Sequence, residues 1–302
     1  MAKRKTEEPL RKKIISSLIW LGTLPLCLYT LLTYLLSYSL VIDHWLAGFI
    51  MMTLPYAQIL CLISLIYWIF RRAKRALLPL LVLALGYGFI PRSVVWNTAK
   101  KSNERDLRVL SYNVYGLYSN NYADNESKVK SLKRFMLDYG DDIKCFQEFY
   151  SHEDRKAYRT INMMKEKYPH YAFIPLKEDF FEAKEKMGLA IFSKYPIIDK
   201  GNIEFPQSDN LIVYADIRKG KDTIRVYNMH LQSIKISPDV NEMQDNVDSI
   251  SQQKSQLVVR RISSAFKQQQ KQAEILMSHK KECHYPMIIC GDMNNSAFSY
   301  VY

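Results

Sequence analysis

The sequence predicts a layered α/β sandwich preceded by three transmembrane helices. The 302-residue chain is almost entirely apolar before Trp96, and after that point helical and strand-like hydrophobic patterns alternate with charged turns. Two alternating strand patterns also flank the turn Lys219-Gly-Lys-Asp222, which indicates a hairpin. Because strand patterns outnumber helical ones and include this hairpin, a layered α/β architecture fits the second part of the chain.

Three apolar runs, at residues 14–38, 45–70 and 76–95, predict a membrane anchor over residues 1–96. A spanning helix needs about 20 residues, with about 17 as the lower limit. The first two runs exceed this length, and the third reaches it only when the stretch from Pro91 to Val95 is included. Buried core helices of a soluble protein are the alternative, but such helices keep a polar stripe and these runs carry none.

The basic residues predict the orientation of this anchor. Lys and Arg side chains cluster before the first run and between the second and third, whereas the loop around Asp43 and His44 contains none. Because positively charged loops stay in the cytoplasm, the part of the chain after the third run should be extracytoplasmic. If the third run does not insert, that part is cytoplasmic instead.

Charge and cysteine content narrow the possible partners. The formal net charge is +12, but residues 1–96 hold 11 of the 42 basic and only 3 of the 30 acidic side chains. The smaller excess in the remainder is weak evidence for a polyanionic partner. The 5 cysteines show neither a zinc-type spacing nor a disulfide framework.

A polar linker is predicted at residues 97–105, followed by the elements of the sandwich. The hydrophobic periodicity predicts strands over 107–114, 142–148, 171–174, 189–192, 210–217, 223–231 and 285–291, and helices over 127–139, 152–167 and 251–279. The polar stretch from Ser237 to Gln253 is either a substrate-facing loop or an ordinary solvated connection. The glutamines at 268–270 are interpreted as part of a helix surface.

Several short segments place polar residues at the ends of strand-like runs, where a sheet can hold them over one pocket. In chain order they are Leu110-Ser-Tyr-Asn113, Gln147-Glu148, Gly188-Leu-Ala-Ile-Phe-Ser-Lys-Tyr-Pro196, Asn228-Met-His230-Leu and Gly291-Asp292-Met-Asn294.

These residue types suit metal-dependent phosphodiester cleavage. The reaction requires neutralised phosphate oxygens, an activated water and a stabilised leaving oxygen, and a hard cation provides much of this. Mg²⁺ takes only one or two protein carboxylates, so Glu148 alone can serve as the main ligand. A solvent-exposed strand end is the alternative for Glu148. Asn113 could bind a metal-bound water or a phosphate oxygen, or it could simply cap a turn.

The remaining candidates are His230, Asp292 and Asn294. His230 could donate to a phosphate oxygen or a leaving group, since histidine titrates near neutral pH, although a lone strand histidine is often structural. Asp292 could orient or deprotonate the water, and Asn294 could hold the phosphate. Their spacing places an acid and an amide on the same side of an extended segment.

In this order the segments resemble the endonuclease/exonuclease/phosphatase superfamily, which includes deoxyribonuclease-type nucleases, neutral sphingomyelinases and inositol-phosphate phosphatases. The resemblance covers roughly Asp106 to Tyr302 and implies a two-sheet α/β/β/α sandwich with a Mg²⁺- or Mn²⁺-dependent hydrolase site. It matches Asn113 and Glu148 to the metal-binding residues, His230 to the first catalytic histidine, and Asp292 with Asn294 to the water- and phosphate-positioning pair. Membrane spans ahead of such a domain resemble anchored bacterial members, which implies an integral protein of the bacterial plasma membrane.

The resemblance also implies a later acidic residue and a Ser-Asp-His segment, which this sequence lacks. The domain 106–302 is therefore expected to be incomplete at its C-terminus and to have an unpaired sheet edge. The chain is then a fragment of a longer enzyme, and on its own it should be at best weakly active and poorly stable. The predicted function is membrane-anchored, metal-dependent hydrolysis of a phosphodiester or phosphomonoester substrate, either a lipid headgroup or a nucleic acid, with no protein partner. The alternatives are a non-catalytic membrane protein that binds a phosphorylated ligand and a purely structural one.

Overall fold

The structure, a computed structural model, describes residues 10–39, 45–94, 107–176, 184–206, 208–234 and 252–302. The chain forms two compact units. The first consists of Met1–Ala99, Ile262–Lys267 and Asn295–Tyr302, and the second of Lys100–Arg261 and Gln268–Asn294. The predicted linker at 97–105 lies outside the described residues, as does nearly all of the predicted loop from Ser237 to Gln253.

The first unit is built from helices. In chain order they are α1 (Leu10–Tyr38), α2 (Trp45–Met52), α3 (Leu54–Arg71), α4 (Ala73–Leu85) and the short α5 (Ile90–Ser93). By length and composition, two described segments are apolar and long enough to cross a membrane, Arg11–Tyr38 and Leu54–Arg71. A buried core helix or a signal sequence can pass the same test of length and composition.

The structure corrects the predicted second and third spans. The run at 45–70 is not one helix, because α2 ends at Met52 and α3 begins again at Leu54 with Pro55 in its first turn. Proline lacks the N–H that a continuing helix would need, but it is tolerated in a first turn. The run at 76–95 is interrupted as well, because the 13-residue α4 ends at Gly86, before a 3₁₀ turn and α5. Over the described residues, the second and third predicted runs therefore do not each form one continuous helix.

Helix α1 carries a buried stripe of hydroxyl side chains, which corrects the expectation that the apolar runs have no polar stripe. Ser16, Thr23, Thr30 and Ser37 recur at heptad spacing and are all buried. The sequence pattern does not reveal this stripe, because it contains no charged residue. The opposite side of the helix is leucine-rich and exposed, at Leu18, Leu21, Leu28 and Leu35. The helix is thus more polar on its buried side than on its outer side.

The second unit contains two sheets of four strands each. The strands are β1 (Val109–Asn113), β2 (Ile143–His152), β3 (His170–Pro175), β4 (Glu185–Ser193), β5 (Ile197–Glu204), β6 (Leu211–Lys219), β7 (Asp222–His230) and β8 (Met287–Asp292). The helices are α6 (Tyr122–Asp138), α7 (Thr160–Lys165) and α8 (Gln252–Lys281), of which residues 262–267 belong to the first unit. The strand orders are β1-β2-β4-β3 and β5-β6-β7-β8. The predicted mixed α/β fold with two sheets is confirmed.

Two hydrophobic clusters show how the layers pack. One joins the facing sides of the sheets and includes Cys145 and Ile191 from the first sheet and Val213 and Val226 from the second. The other lies on the opposite side of the first sheet, under α6 and α7. Strand β2 is therefore buried on both faces, and its polar side chains, such as Lys144 and Gln147, are buried with its apolar ones.

Two differences from the predicted elements have clear causes, and one expected feature is present. Strand β5 was missed because it is an edge strand and mostly exposed. The helix predicted at 152–167 was wrong over its first half, because β2 continues to His152 by pairing with β4, and only α7 is helical in the remainder apart from a 3₁₀ turn. Among the described residues β8 pairs only with β7 and is partly exposed along its length, as the expected unpaired edge requires.

Candidate active site

The sheet topology brings the predicted site residues to matching strand ends. β1 pairs with β2 in parallel, and Asn113 is the register partner of Gln147, the residue before Glu148. β7 and β8 are also parallel, and His230 is the register partner of Asp292. Because parallel strands end at the same edge of a sheet, each sheet delivers two of these side chains to one place.

The amide of Asn113 connects the two sheets. Its Nδ2 donates to Glu148 Oε1 at 3.0 Å and to Asp292 Oδ2 at 3.0 Å. Its Oδ1 accepts the backbone N–H of Tyr115 at 2.9 Å. Asn113 therefore does both things considered for it in the sequence, since it caps a turn through its oxygen and faces the acidic residues through its nitrogen.

An irregularity in β2 directs Glu148 toward this amide. The pairing with β4 shifts register between Phe146 and Phe149, and Glu148 has a left-handed backbone with φ of 50°. Such a conformation costs a non-glycine residue about 1–3 kcal/mol and persists only where its surroundings fix it. A bulge of this kind re-aims one side chain. The Glu148 side chain is 28% exposed, so it is not a freely solvated strand end.

His230 lies beside the same carboxylate. Its Nε2 is 3.8 Å from Glu148 Oε1, and its side chain is 13% exposed. The backbone carbonyl of His230 accepts a hydrogen bond from Asn210 Nδ2 at 3.0 Å. The backbone of His230 is thus held at the end of β7, and its ring lies next to the Glu148 carboxylate.

Asp292 and Asn294 form a tight turn after β8. The backbone N–H of Asn294 donates to Asp292 Oδ1 at 2.9 Å, and Asn294 is left-handed with φ of 50°. Asn294 Nδ2 donates to the carbonyl of Leu231 at 2.9 Å. One hydrogen of this amide nitrogen is therefore used to hold the chain after His230, and the second can donate to a phosphate oxygen.

Two buried amides behind these residues were not predicted from the sequence as part of the site. Gln147 Nε2 donates to Asn228 Oδ1 at 2.5 Å across the interface between the sheets. Asn228 Nδ2 donates to the carbonyls of Phe146 at 2.9 Å and Ala190 at 3.0 Å. Gln147 is 1% exposed and Asn228 is fully buried. The available signal was a polar residue at an inward position of an apolar strand.

The donor set suits a hard cation with few protein ligands. Two carboxylates and one side-chain amide converge, and Mg²⁺ usually takes one or two carboxylates and completes its shell with water. Over the described part of the chain, no group of three or more His, Cys, Asp or Glu side chains is arranged to hold a metal. A zinc-type site is therefore not found among those residues. The carboxylates of Glu148 and Asp292 fit a sparse oxygen site, and Asn113 supports both of them by donating through its Nδ2.

The two sheets and the acidic site at their strand ends define a class of α/β sandwich. A family model described as "Endonuclease/Exonuclease/phosphatase family" matches residues 110–302. The chain belongs to this family, which includes metal-dependent phosphodiesterases. A second model, described as "Domain of unknown function (DUF8431)", matches residues 16–93.

Solved structures similar to this chain include sphingomyelinase C from Streptomyces griseocarneus, with 18% identity, a TM-score of 0.44, and coverage of 65% of this chain and 67% of that one. A double mutant of beta toxin from Staphylococcus aureus, solved with bound magnesium ions, has 22% identity, a TM-score of 0.40 and coverages of 63% and 65%. For the structure of SmcL the identity is 19%, the TM-score 0.41 and the coverage of this chain 64%, and this chain spans 65% of its length. No curated protein matches the sequence.

Proposed function

We propose that this chain carries the active site of a metal-dependent phosphodiester hydrolase. The observation that carries the proposal is the Asn113 amide, which hydrogen-bonds Glu148 from one sheet and Asp292 from the other. Membership of the endonuclease/exonuclease/phosphatase family supports the same reaction class. No other cluster of the described residues combines carboxylates, an amide and a histidine at adjacent strand ends.

Each side chain has a role that its position supports. Glu148 would hold Mg²⁺ or Mn²⁺, and the cation would supply charge neutralisation at the phosphate oxygens. Asn113 would support the metal site by donating through its Nδ2 to the Glu148 carboxylate or to a metal-bound water. Asp292 accepts a proton from the attacking water or orients that water. His230 donates to a phosphate oxygen or to the leaving oxygen, and Asn294 donates to the phosphate through its second amide hydrogen.

Metal binding is the first test of this proposal. Mn²⁺ titrated into the detergent-solubilised chain should bind at one site, as monitored by electron paramagnetic resonance. Glu148→Gln should weaken this binding by at least about tenfold, because even partners that only support a ligand contribute about 10–100-fold. Glu204→Gln, at an exposed position of β5, is the matched control and should bind as the wild type does. Equal binding by the wild type and Glu148→Gln would contradict the assignment.

Turnover is the second test. The full chain should hydrolyse bis(p-nitrophenyl) phosphate only with Mg²⁺ or Mn²⁺ present, and Asp292→Asn should lower kcat by about 10²–10⁴-fold, the usual contribution of a general base. Metal-dependent binding of inorganic phosphate without any turnover would instead support the alternative function, a non-catalytic phospho-ligand-binding membrane protein.

We also propose that the first unit anchors this site in a membrane. The support is the arrangement of α1, which buries hydroxyls and exposes leucines, the pattern expected where the surrounding medium is apolar. An extracytoplasmic hydrolase further requires that the interrupted run at 76–95 crosses the membrane as well. With that third crossing the distribution of basic residues supports the extracytoplasmic side of a bacterial plasma membrane, and without it the same distribution supports the cytoplasmic side. Its substrate would be a lipid headgroup phosphoester or an extracellular nucleic acid, and parallel assays with lipid vesicles and DNA distinguish these two.

Cysteine accessibility tests the topology. Ser102→Cys, in a background where the partly exposed Cys283 is changed to Ser, should react in intact cells with a membrane-impermeant maleimide. The background protein without the added cysteine is the control. Labelling only after the cells are lysed would place the hydrolase in the cytoplasm.

A further inference from the structure

Gln269 of helix α8 is a polar side chain with no access to solvent. It is fully buried, although the sequence around it, Gln268 to Gln270, was interpreted as a helix surface. That interpretation is wrong for Gln269. Burial of a side-chain amide is unfavourable unless its hydrogen bonds are made, so the partners of Gln269 show what its polarity does.

The amide nitrogen of Gln269 connects the two chain segments that follow the predicted catalytic residues. Its Nε2 donates to the carbonyl of Gln232 at 2.6 Å and to the carbonyl of Asn294 at 3.0 Å. Gln232 lies just after His230 at the end of β7, and Asn294 lies just after Asp292 at the end of β8. One amide group therefore spans both segments.

A second glutamine, about one turn further along α8, holds the same segment. The backbone N–H of Gln232 donates to Gln272 Oε1 at 2.9 Å. Gln272 is 2% exposed, and its Nε2 donates to Ser208 Oγ at 3.3 Å. The backbone of Gln232 is thus bound on both sides, at its N–H by Gln272 and at its carbonyl by Gln269.

The segment after β7 and the segment after β8 also form hydrogen bonds with each other, so the two move together and the distance between them is fixed by these bonds. The N–H of Leu231 donates to the carbonyl of Asp292 at 2.9 Å, and Asn294 Nδ2 donates to the carbonyl of Leu231 at 2.9 Å. Asn294 has a left-handed backbone, which needs support from its surroundings to persist. Gln269 supplies that support at the carbonyl of this strained residue.

We propose that Gln269 is a positioning residue that fixes the spacing between His230 and the Asp292–Asn294 pair. The proposal rests on the proposed hydrolase function for the consequence, but the positioning itself is a property of the fold. Gln269 does not touch the reacting atoms. It acts through the backbone carbonyls, and displacements of about 1 Å in such supports are enough to reduce turnover substantially.

The test compares Gln269→Met with Gln270→Met in the full detergent-solubilised chain. Both changes replace an amide with an unbranched apolar side chain on the same helix, but the hydrogen bond described for the Gln270 amide is an exposed one to Glu274. In Gln269→Met we expect kcat to fall about 10–100-fold, the usual effect of losing a supporting hydrogen bond at a metal site. KM should change little, since the lost interaction orients reacting groups rather than binding substrate. Gln270→Met should match the wild type.

Hydrogen exchange provides a readout that does not depend on turnover. Peptides covering 228–234 and 288–294 should exchange faster in Gln269→Met than in Gln270→Met, while a peptide covering 143–149 should not change. If the wild type shows no hydrolysis, the proposed function fails and this exchange pattern alone decides the positioning role.

Three results would overturn the proposal. One is equal exchange of the two segments in Gln269→Met and Gln270→Met. Another is a uniform rise in exchange over the whole second unit, which would make Gln269 a merely structural residue. The third is an unchanged kcat in an active enzyme. If Gln269→Met does not fold, Gln269→Asn replaces it, because it keeps an amide but is too short to reach both carbonyls.

Discussion

The two units both bury polar side chains, but the partners of those side chains differ. In α1, Thr23 accepts a hydrogen bond from Trp68 Nε1 of α3 at 3.0 Å, and Thr30 contacts Cys61 of α3. Each of the two hydroxyls nevertheless donates within its own helix, to the carbonyls of Ile19 and Leu26 at 2.9 and 2.8 Å. In the sandwich the amides of Gln147 and Asn228 bond across the two sheets, between residues far apart in the sequence. Bonds of the first kind form in any helix, whereas bonds of the second kind exist only in this fold.

The two kinds of bond should contribute differently to the free energy of unfolding. A locally bonded hydroxyl can be removed and leave its helix intact, since the carbonyl it used is already bonded within the helix. A long-range amide cannot be removed without leaving several buried groups unpaired. Removing a buried polar group should therefore lower the free energy of unfolding more in the second unit than in the first.

The largest effect is expected from Asn228→Leu. The change leaves the carbonyls of Phe146 and Ala190 and the amide of Gln147 without their partner, and each unpaired buried group costs about 1–3 kcal/mol. We expect the free energy of unfolding to fall by about 3 kcal/mol or more, measured by pulse proteolysis in urea. Asn202→Leu, at an exposed position of β5, should change it little. A similar loss in both variants would show that the long-range bonds of the Asn228 amide contribute no special stability.

A glycine from each unit extends the comparison. Gly291 precedes Asp292 with φ of 140°, and a Cβ there would lie 2.1 Å from the carbonyl oxygen of Met229. Gly291→Ala should destabilise the second unit by about 1–3 kcal/mol, as is usual for a strained backbone, and should lower hydrolysis by displacing Asp292.

Gly22 in α1 is the matched position, because a Cβ there would meet nothing within 4 Å. Gly22→Ala should stabilise the helix by about 0.5–1 kcal/mol, since alanine loses less backbone entropy. Urea midpoints of the two variants in the same detergent measure the contrast. A Gly291→Ala protein as stable and active as the wild type would mean that the close approach of β7 and β8 is not required.

A smaller effect is expected from Thr30→Val in α1. Thr30 is fully buried, and besides the carbonyl of Leu26 its hydroxyl contacts the thiol of Cys61 at 3.2 Å. Hydroxyl contacts between helices in an apolar medium contribute about 0.6 kcal/mol on average. We expect a loss of that size in unfolding titrations with sodium dodecyl sulfate. A loss comparable with that of Asn228→Leu would show that the anchor also depends on its polar interior.

Lys144 gives a pH-dependent test of the comparison, because it lies in the sandwich but bonds locally. Its Nζ donates to the carbonyls of Met136 at 2.6 Å and Tyr139 at 2.7 Å, near the end of α6. Burial lowers the pKa of Lys144 from its ordinary value of 10.5 to about 8. Between these two values the unfolded chain binds more protons than the folded one, so the free energy of unfolding contributed by this group rises with pH.

The measurement is the difference in urea midpoint between the wild type and Lys144→Met at pH 7.5 and at pH 9.5. The wild type should gain stability relative to the variant at the higher pH. Parallel pH dependence of the two proteins would show that the Lys144 pKa is not lowered by folding.

The sequence predicted the site better than it predicted the framework behind it. Asn113, Glu148, His230, Asp292 and Asn294 could be grouped because each follows a strand-like run, and the structure brings them together. Gln147 and Asn228 belong to the quoted segments but received no role, and Gln269 was interpreted as helix surface, because their partners lie far away in the sequence and a local pattern carries no information about them.

The predicted elements failed where local signals competed. Pro55 and Gly86 are visible in the sequence, yet the length of the apolar runs outweighed them, and the breaks were missed. Strand β5 lacks a clear alternation because both its faces are largely exposed at the sheet edge. His152 was assigned to a helix because the pairing of β2 with β4, which continues the strand, is not a local property.

The site draws its side chains from both sheets, with Asn113 and Glu148 on one and His230 and Asp292 on the other. Its internal distances therefore depend on how the two sheets are aligned, and sliding one sheet over the other would separate the groups before any strand melts. Catalytic geometry is generally sensitive to shifts of about 1 Å. The proposed hydrolase activity should consequently fall when one sheet slides relative to the other. Mild denaturants should therefore abolish hydrolysis at concentrations that leave the secondary structure intact.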